Sequence, residues 1–327
     1  MPSPATATES RRTATPLPSP RTPSRPSTRA WLLTSPILLL ALVPFVANFH
    51  SASRAGQRFT RDWAVDLLNT VEPYGILITD GDNDTFPLWY AQEVEGVRKD
   101  VLVACSCLLE TDWNVRDMIR RPIYPYDAAK GPAVYRNHQW PKPSGPPLRL
   151  TMAAADAIPS YIELQQPRVF TKDSIVATIR AGILTRGQLV ILQFIKDSFP
   201  ERPIYFSSRN TPDALGLGPH LLAQGLAQEL VMRTPQPSRD TVSTPIGLMD
   251  LPRSTTLWTQ VYRGPAELVH EGQWVDRASV SIVYHYVLVG YYLANAVGQL
   301  GNRPLADQIM NRVEAMARAS GLERTAS

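Results

Sequence analysis

The run GILITDGDNDTFPLWYAQEVEGVRKDVLVACSCL, residues 75–108, contains two apolar segments on either side of an acidic, helix-like one. The apolar segments, 75–79 and 101–108, are short and end at turn-forming or polar residues, as buried strands do. Between them, 85–95 has a good N-cap in Asp84 and a stop signal in Gly96, so we expect a helix there. A strand, a helix and a second strand with short connections predict a parallel pair joined by a right-handed crossover.

Similar patterns continue on both sides of this unit. Trp63 lies four residues from both Phe59 and Leu67, which predicts a short amphipathic helix over 58–68. We further predict a helix that begins at Thr111 or Asp112 and stops before Pro122, a helix over 187–199, a strand over 202–207 and a helix over 215–231. The chain is therefore expected to contain a small Rossmann-like parallel α/β domain.

The C-terminal part, 291–317, reads as two helices around a turn at Gly301 and Asn302. Four residues fall at the spacing of a tetratricopeptide repeat: Leu293, Ala294, Gly301 and Ala306. A single hairpin of this type cannot bury a core by itself, because such repeats need ~3 units. An ordinary helical hairpin that docks on the α/β part is the alternative interpretation.

The N-terminal part has two different compositions. Residues 1–30 are rich in Pro, Ser, Thr and Arg with few large apolar side chains, so we expect a disordered tail. Residues 31–49, WLLTSPILLLALVPFVANF, carry no charge and come close to the ~20 residues that cross a bilayer. We expect a retained membrane helix over 31–50, with a cleaved signal peptide as the alternative. Arginines before the span favour a cytoplasmic N-terminus and an exported, periplasmic body.

The rest of the chain is expected to divide into an exported α/β domain over 51–235 and a linker plus helical segment over 236–327. The formal charge of +4 is small for 327 residues, and the basic residues are not clustered beside aromatic ones, which argues against nucleic-acid binding. No HExxH, GxSxG, GxGxxG or P-loop sequence occurs, so the familiar zinc-protease, serine-hydrolase and nucleotide-loop signals are missing.

Polar side chains follow each predicted strand, at the sheet edge where parallel α/β folds bind ligands. The candidate substrate-binding residues are those that follow the strands or begin the next helices: Asp80, Asp82, Asn83, Asp84, Thr85, Trp89, Glu110, Asp112, Trp113 and Arg209. One interpretation is structural, because Asp84 and Asp112 can cap helices while Asp80 and Asp82 stabilise an Asx-type turn around Gly81. The others are a contact to a neutral sugar or acceptor, and a divalent-cation site at Asp80, Asp82 and Asp84.

The run LITDGDNDTFPLWYAQEVEGVRKDV, followed by LLETDW and later RPIYFS, resembles the C-terminal part of a family of large multi-pass membrane proteins once labelled domain of unknown function 2723. That family is related to the protein O-mannosyltransferases of glycosyltransferase family 117. The resemblance covers roughly residues 55–235, through LLAQGLAQELV at 221–231, and the tetratricopeptide-like end also suits the family.

Members of that family have many membrane helices before this region, and the resemblance implies that those helices hold the lipid-linked sugar and the catalytic carboxylate. One predicted span stands in their place here, so no residue of this chain inherits the catalytic role. The resemblance therefore implies a non-catalytic exported module that binds an acceptor protein, a glycan or a multi-pass glycosyltransferase-like partner. The alternatives are a self-sufficient, metal-dependent sugar-transferring enzyme that uses Asp80, Asp82 and Asp84, and a helical-repeat interaction scaffold.

Overall fold

The computed structural model describes residues 28–272 and 280–322. The chain divides after Ala55 into two compact units. In the first unit, helix α1 (Thr28–Ala52) contains the apolar run together with Pro36 and Pro44. Large apolar side chains along α1 are exposed: Leu39, Leu40, Leu42, Val43, Phe45, Val46 and Phe49. The expected helix is therefore present, and its surface between Leu39 and Phe49 is apolar.

The second unit contains the remaining helices and all the strands described below. Its helices are α2 (Phe59–Thr70), α3 (Asp82–Glu93), α4 (Asp112–Arg120), α5 (Met152–Asp156), α6 (Arg186–Ser198), α7 (Asn210–Ala214), α8 (Leu251–Thr256), α9 (Gly264–Glu271), α10 (Val280–Gln299) and α11 (Arg303–Ser320). Its strands are β1 (Ile76–Thr79), β2 (Leu102–Cys105), β3 (Tyr161–Leu164), β4 (Arg168–Lys172), β5 (Ile175–Ile179), β6 (Gly182–Thr185), β7 (Ile204–Phe206), β8 (Leu221–Gln224), β9 (Ala227–Leu230), β10 (Thr241–Thr244) and β11 (Gly247–Asp250).

The centre of the second unit is a seven-stranded sheet of order β10-β11-β8-β9-β7-β1-β2. β1 pairs in parallel with both β2 and β7, and α3 connects β1 to β2, as the strand–helix–strand pattern predicts. β9 continues the sheet antiparallel to β7, and β8 follows antiparallel to β9. The α/β class with a parallel core is confirmed. The sequence did not predict the extension by β9, β8, β11 and β10, which pair antiparallel except for the parallel pair of β8 with β11.

Side chains alternate between the two faces of the sheet, because successive strand residues point to opposite sides. Leu77 on β1 packs into a core formed with α2, α3 and the C-terminal helices. Ile76 and Ile78 pack into a second core, which includes residues of α4 and α6. The second unit is therefore a three-layer α/β structure with a hydrophobic core on each side of the sheet.

The helix predicted over 215–231 is wrong, because this segment forms the β8–β9 hairpin. Gly225, with φ of 54°, takes the first position of the two-residue turn, a position that favours glycine. The backbone N–H groups of Gly225 and Leu226 donate to the hydroxyls of Ser254 and Tyr262, at 3.0 and 2.9 Å. These partners lie about thirty residues along the chain, so the local pattern could not indicate them.

The predicted C-terminal hairpin is confirmed as α10 and α11. Asn302 caps α11, since its side chain accepts a hydrogen bond of 3.3 Å from the Leu305 N–H. Val283, Tyr286 and Leu293 on α10, like Ile309 on α11, pack into the core that also contains α2 and α3. By length and composition α10 qualifies as a membrane span, but half of its apolar window is buried in the fold, as in the core helix of a globular domain.

Candidate functional site

A crevice opens beyond the carboxyl ends of β1 and β7, where the chain leaves the two neighbouring strands in opposite directions. From β1 it crosses to β2 on one side, and from β7 it goes on to β8 and β9 on the other. In open α/β sheets such a switch point is the usual ligand site. The cavity here has a volume of about 700 Å³, and its walls come from the loops after β1 and β7, from α2 and from α10.

Asp84 joins the two loops at the base of the crevice. Its Oδ1 accepts a hydrogen bond from the Gly81 N–H at 2.8 Å, and its Oδ2 accepts from the Asp80 N–H at 2.9 Å and from Ser207 Oγ at 2.6 Å. We expected Asp84 to be the N-cap of α3, and this placement is wrong. The helix begins at Asp82, and Asp84 lies in its first turn, where its carboxylate reaches back to the N-cap as in a capping box.

Asp80 connects the same loops from the other side. Its Oδ1 accepts from Thr211 Oγ1 at 2.9 Å, and its Oδ2 accepts from Asn210 Nδ2 at 3.2 Å and also from the Ser208 hydroxyl. The two aspartates together receive hydrogen bonds from both loops. These bonds hold the loop after β7 against the loop after β1 at the base of the crevice.

The other candidates near β1 divide into two groups. Asp82 and Asn83 are exposed at the start of α3 and line the crevice. Thr85 is buried and pairs its hydroxyl with that of Thr79 at 2.7 Å. Trp89 packs against the core beneath α3. Asp82 and Asn83 are therefore in a position to contact a ligand, while Thr85 and Trp89 support the helix.

The candidates after β2 meet a different element, the N-terminus of α6. Glu110 Oε1 accepts from Thr185 Oγ1 at 2.6 Å, Asp112 forms an ion pair with Arg186, and Trp113 is exposed. None of these three belongs to the described lining of the crevice. Arg209 after β7 does line it, and its guanidinium is paired with Asp213, with Nη2 2.9 Å from Oδ1.

The acidic turn does not form a preformed cation site. Within 28–272 and 280–322, no group of three or more His, Cys, Asp or Glu side chains is arranged to hold a metal ion. The carboxylates of Asp80 and Asp84 instead carry hydrogen bonds from hydroxyl, amide and backbone donors. The geometry therefore favours the structural interpretation for these two residues.

Sequence reasoning missed the wall that α10 contributes, and it also missed Trp63 on α2 and Gln228 on β9. Trp63 is 2% exposed and Gln228 is 7% exposed. Neither Trp63 Nε1 nor Gln228 Oε1 has a hydrogen-bond partner among the described residues. Trp63 read as an ordinary core position of an amphipathic helix, and Gln228 lay in the segment mistaken for a helix. A polar residue on a strand next to the parallel core is the signal that would have identified Gln228.

Residues 60–144 match the family model described as TMEM260-associated domain 2. No curated protein and no solved structure matched the chain. The matched range begins within α2, ends in the irregular segment after α4, and includes both Trp63 and the 80–85 loop. Through residues 60–144, which hold one wall of the crevice, the chain is therefore similar to a domain of a membrane-associated, TMEM260-related family.

Proposed function

We propose that this chain is the membrane-anchored, exported module of a glycosyltransferase system related to the protein O-mannosyltransferases, and that it binds an acceptor or glycan without catalysing transfer alone. The observation that carries the proposal is the crevice at the switch point between β1 and β7. Its lining supplies carboxylate, amide, hydroxyl and aromatic side chains, which suit recognition by hydrogen bonding.

The membrane attachment rests on α1. The large apolar side chains described between Leu39 and Phe49 are exposed, and no charged residue lies between Trp31 and Phe49. Burial in hydrocarbon would remove this apolar surface from water. With arginines before the helix, the positive-inside rule favours a cytoplasmic N-terminus and an exported body at the cytoplasmic membrane.

A multi-pass glycosyltransferase-like protein is the proposed partner, because the family resemblance assigns the lipid-linked sugar and the catalytic carboxylate to the membrane helices of multi-pass proteins. The test is purification of the tagged full-length chain from detergent-solubilised membranes, with partners identified by mass spectrometry. A stoichiometric multi-pass protein, and sugar transfer that requires both chains, would support the proposal. Full transfer from a polyprenyl-linked donor by this chain alone would refute it.

A matched control separates the anchor from the body. Replacement of α1 by an unrelated membrane helix of equal length should preserve capture of the partner if the second unit makes the contact. Loss of capture in this variant would place the contact on α1 itself.

The alternatives receive less support from the geometry. A metal-dependent enzyme needs a cation site, and the described aspartates are not arranged as one. A separate helical-repeat scaffold needs a free hairpin, whereas α10 and α11 share a core with α2 and α3. The geometry therefore supports a binding module better than either alternative.

A further inference from the structure

Among the described residues, the indole N–H of Trp63 and Oε1 of Gln228 in the crevice wall are a buried donor and a buried acceptor without partners. Native structures rarely leave buried polar atoms unpaired, and each exception calls for an explanation such as a bound ligand. A hydroxyl or a secondary amide can both accept and donate a hydrogen bond, so a ligand with such groups would satisfy both atoms.

The charges of the crevice select against anions. Three carboxylates line it, those of Asp80, Asp82 and Asp84, whereas the guanidinium of Arg209 is already paired with Asp213. A phosphate or carboxylate ligand would be repelled by this excess of negative charge. The described lining thus fits an uncharged ligand better than a nucleoside-diphosphate sugar or a polyprenyl phosphate.

The shape of the crevice suits a small molecule with a flat apolar face. Its volume of about 700 Å³ lies within the range of ligand pockets, ~300–1,000 Å³. Tyr284 on α10 lines the opening and is 56% exposed, so its ring offers an apolar face beside polar groups. An extended peptide would add as a strand along the edge of a sheet. The crevice lies instead at the strand ends, which favours a small molecule.

We infer that this crevice binds a neutral saccharide, and that the Trp63 N–H and Gln228 Oε1 make hydrogen bonds to its hydroxyl or acetamido groups. The inference rests on the proposed function and specifies its ligand: the uncharged glycan rather than the charged donor. Asp82 and Asn83, exposed at the same opening, add further polar groups beside the sugar.

The test is calorimetric titration of the full-length chain in detergent with methyl α-mannoside, mannobiose and diacetylchitobiose. At least one of these should bind saturably, and Gln228→Met should weaken that binding about tenfold, because one hydrogen bond is lost at nearly constant volume. Trp63→Phe, which removes the N–H, should weaken binding similarly. The matched control is Trp258→Phe, because Trp258 Nε1 is also buried and has no partner in the described parts of the chain, but Trp258 does not line the crevice.

A second readout separates ligand binding from a structural role. Without ligand, Gln228→Met should keep or raise the Tm, since it removes an unpaired polar atom from the wall, whereas a structural glutamine would lower the Tm on replacement. No binding of any of the three sugars up to their solubility limits would overturn the inference, as would unchanged affinity in Gln228→Met.

Binding of a nucleoside-diphosphate sugar, a polyprenyl phosphate or a serine-rich peptide that Gln228→Met weakens would overturn the neutral-saccharide assignment while leaving the module and its partner in place. Conversely, saccharide binding by a chain that captures no multi-pass partner would support the ligand and refute the proposed glycosyltransferase assembly. The failure of each idea is therefore visible separately.

Discussion

Asp80, Asp82 and Asp84 lie within five positions of one another but have different surroundings. Asp84 and Asp80 receive hydrogen bonds from the loop after β7, and Asp82 is exposed at the first residue of α3. The cluster that suggests a cation site in the sequence thus consists of two structural carboxylates and one exposed carboxylate. These surroundings predict very different effects of mutation at adjacent positions.

Asp84→Ala should lower the free energy of unfolding by about 2–4 kcal/mol, because it leaves two backbone N–H groups and the Ser207 hydroxyl without their charged acceptor. Asp82→Ala, the matched control, should change it by no more than about 0.5 kcal/mol, as at other exposed positions. Urea denaturation of both variants measures the difference. Equal costs at the two positions, or a higher Tm of the wild type with Ca²⁺ or Mg²⁺, would instead favour a cation site.

Glu229 on β9 should make the stability of the fold fall as the pH rises. Burial raises the pKa of Glu229 to about 8, and the nearby carboxylate of Glu72 contributes. In the unfolded chain its pKa is about 4.3, so between about pH 4 and pH 8 the native state binds more protons and stability is lost with increasing pH. Glu229→Gln keeps a neutral side chain that can still bond to Gln224.

The comparison isolates Glu229 from other groups, such as Asp66, that titrate in both proteins. Thermal unfolding from pH 5 to pH 9 should show that Glu229→Gln loses less stability than the wild type. Relative to its value at pH 5, the free energy of unfolding at pH 9 should be higher in the variant than in the wild type by at least about 1 kcal/mol. Parallel pH profiles for the two proteins would contradict a buried, protonated Glu229.

At the scale of elements, the sequence allowed correct prediction where the signals are local. β1 and β2 are apolar runs ended by turn residues, and of the two predicted caps for α4, Thr111 is the N-cap position while Asp112 is the first residue of the helix. The β8–β9 hairpin was not predicted, because its turn depends on Ser254 and Tyr262, which follow much later in the chain. The loops after β1 and β7 line the crevice, whereas the loop after β2, which the sequence analysis also assigned to it, does not. The wall from α10 depends on a tertiary contact that periodicity cannot specify.

Gly225→Ala should destabilise the β8–β9 hairpin for two reasons, a steric collision and backbone strain. A Cβ at Gly225 would collide with the Tyr262 hydroxyl, and a left-handed conformation is strained for alanine in any case. Gly272 has a similar φ of 67°, and apart from its chain neighbours no atom of the described residues lies within 4 Å of a built Cβ, so Gly272→Ala serves as the matched control. In denaturant melts we expect the free energy of unfolding to fall by about 3 kcal/mol in Gly225→Ala and by about 1 kcal/mol in Gly272→Ala. Equal losses would mean that Tyr262 moves aside without cost.

At the scale of the whole molecule, the apolar helices α10 and α1 differ in how far their side chains are buried. α10 has the length and hydropathy of a membrane span, but Val283, Tyr286 and Leu293 bury one face of it in the core shared with α2. α1 carries its large described apolar side chains exposed. Hydropathy alone does not distinguish these helices, whereas burial does: membrane attachment by α10 would require dismantling the core, and attachment by α1 would not.

Leu40→Arg combined with Val43→Arg should therefore release the chain from membranes, since each arginine near the middle of a span costs about 2.5–3.5 kcal/mol on insertion scales. Tyr291→Arg, at an exposed position of α10, is the control and should leave the chain in the membrane fraction. Alkaline carbonate extraction of membranes, followed by blotting of the pellet and supernatant, measures both. If Tyr291→Arg released the chain while the α1 variant stayed in the pellet, the span would be α10. If the wild-type chain were already in the supernatant, α1 would be a cleaved signal rather than an anchor. Retention that depends on α1 alone means that the second unit keeps its core intact at the membrane, and the described lining of its crevice comes from residues outside α1.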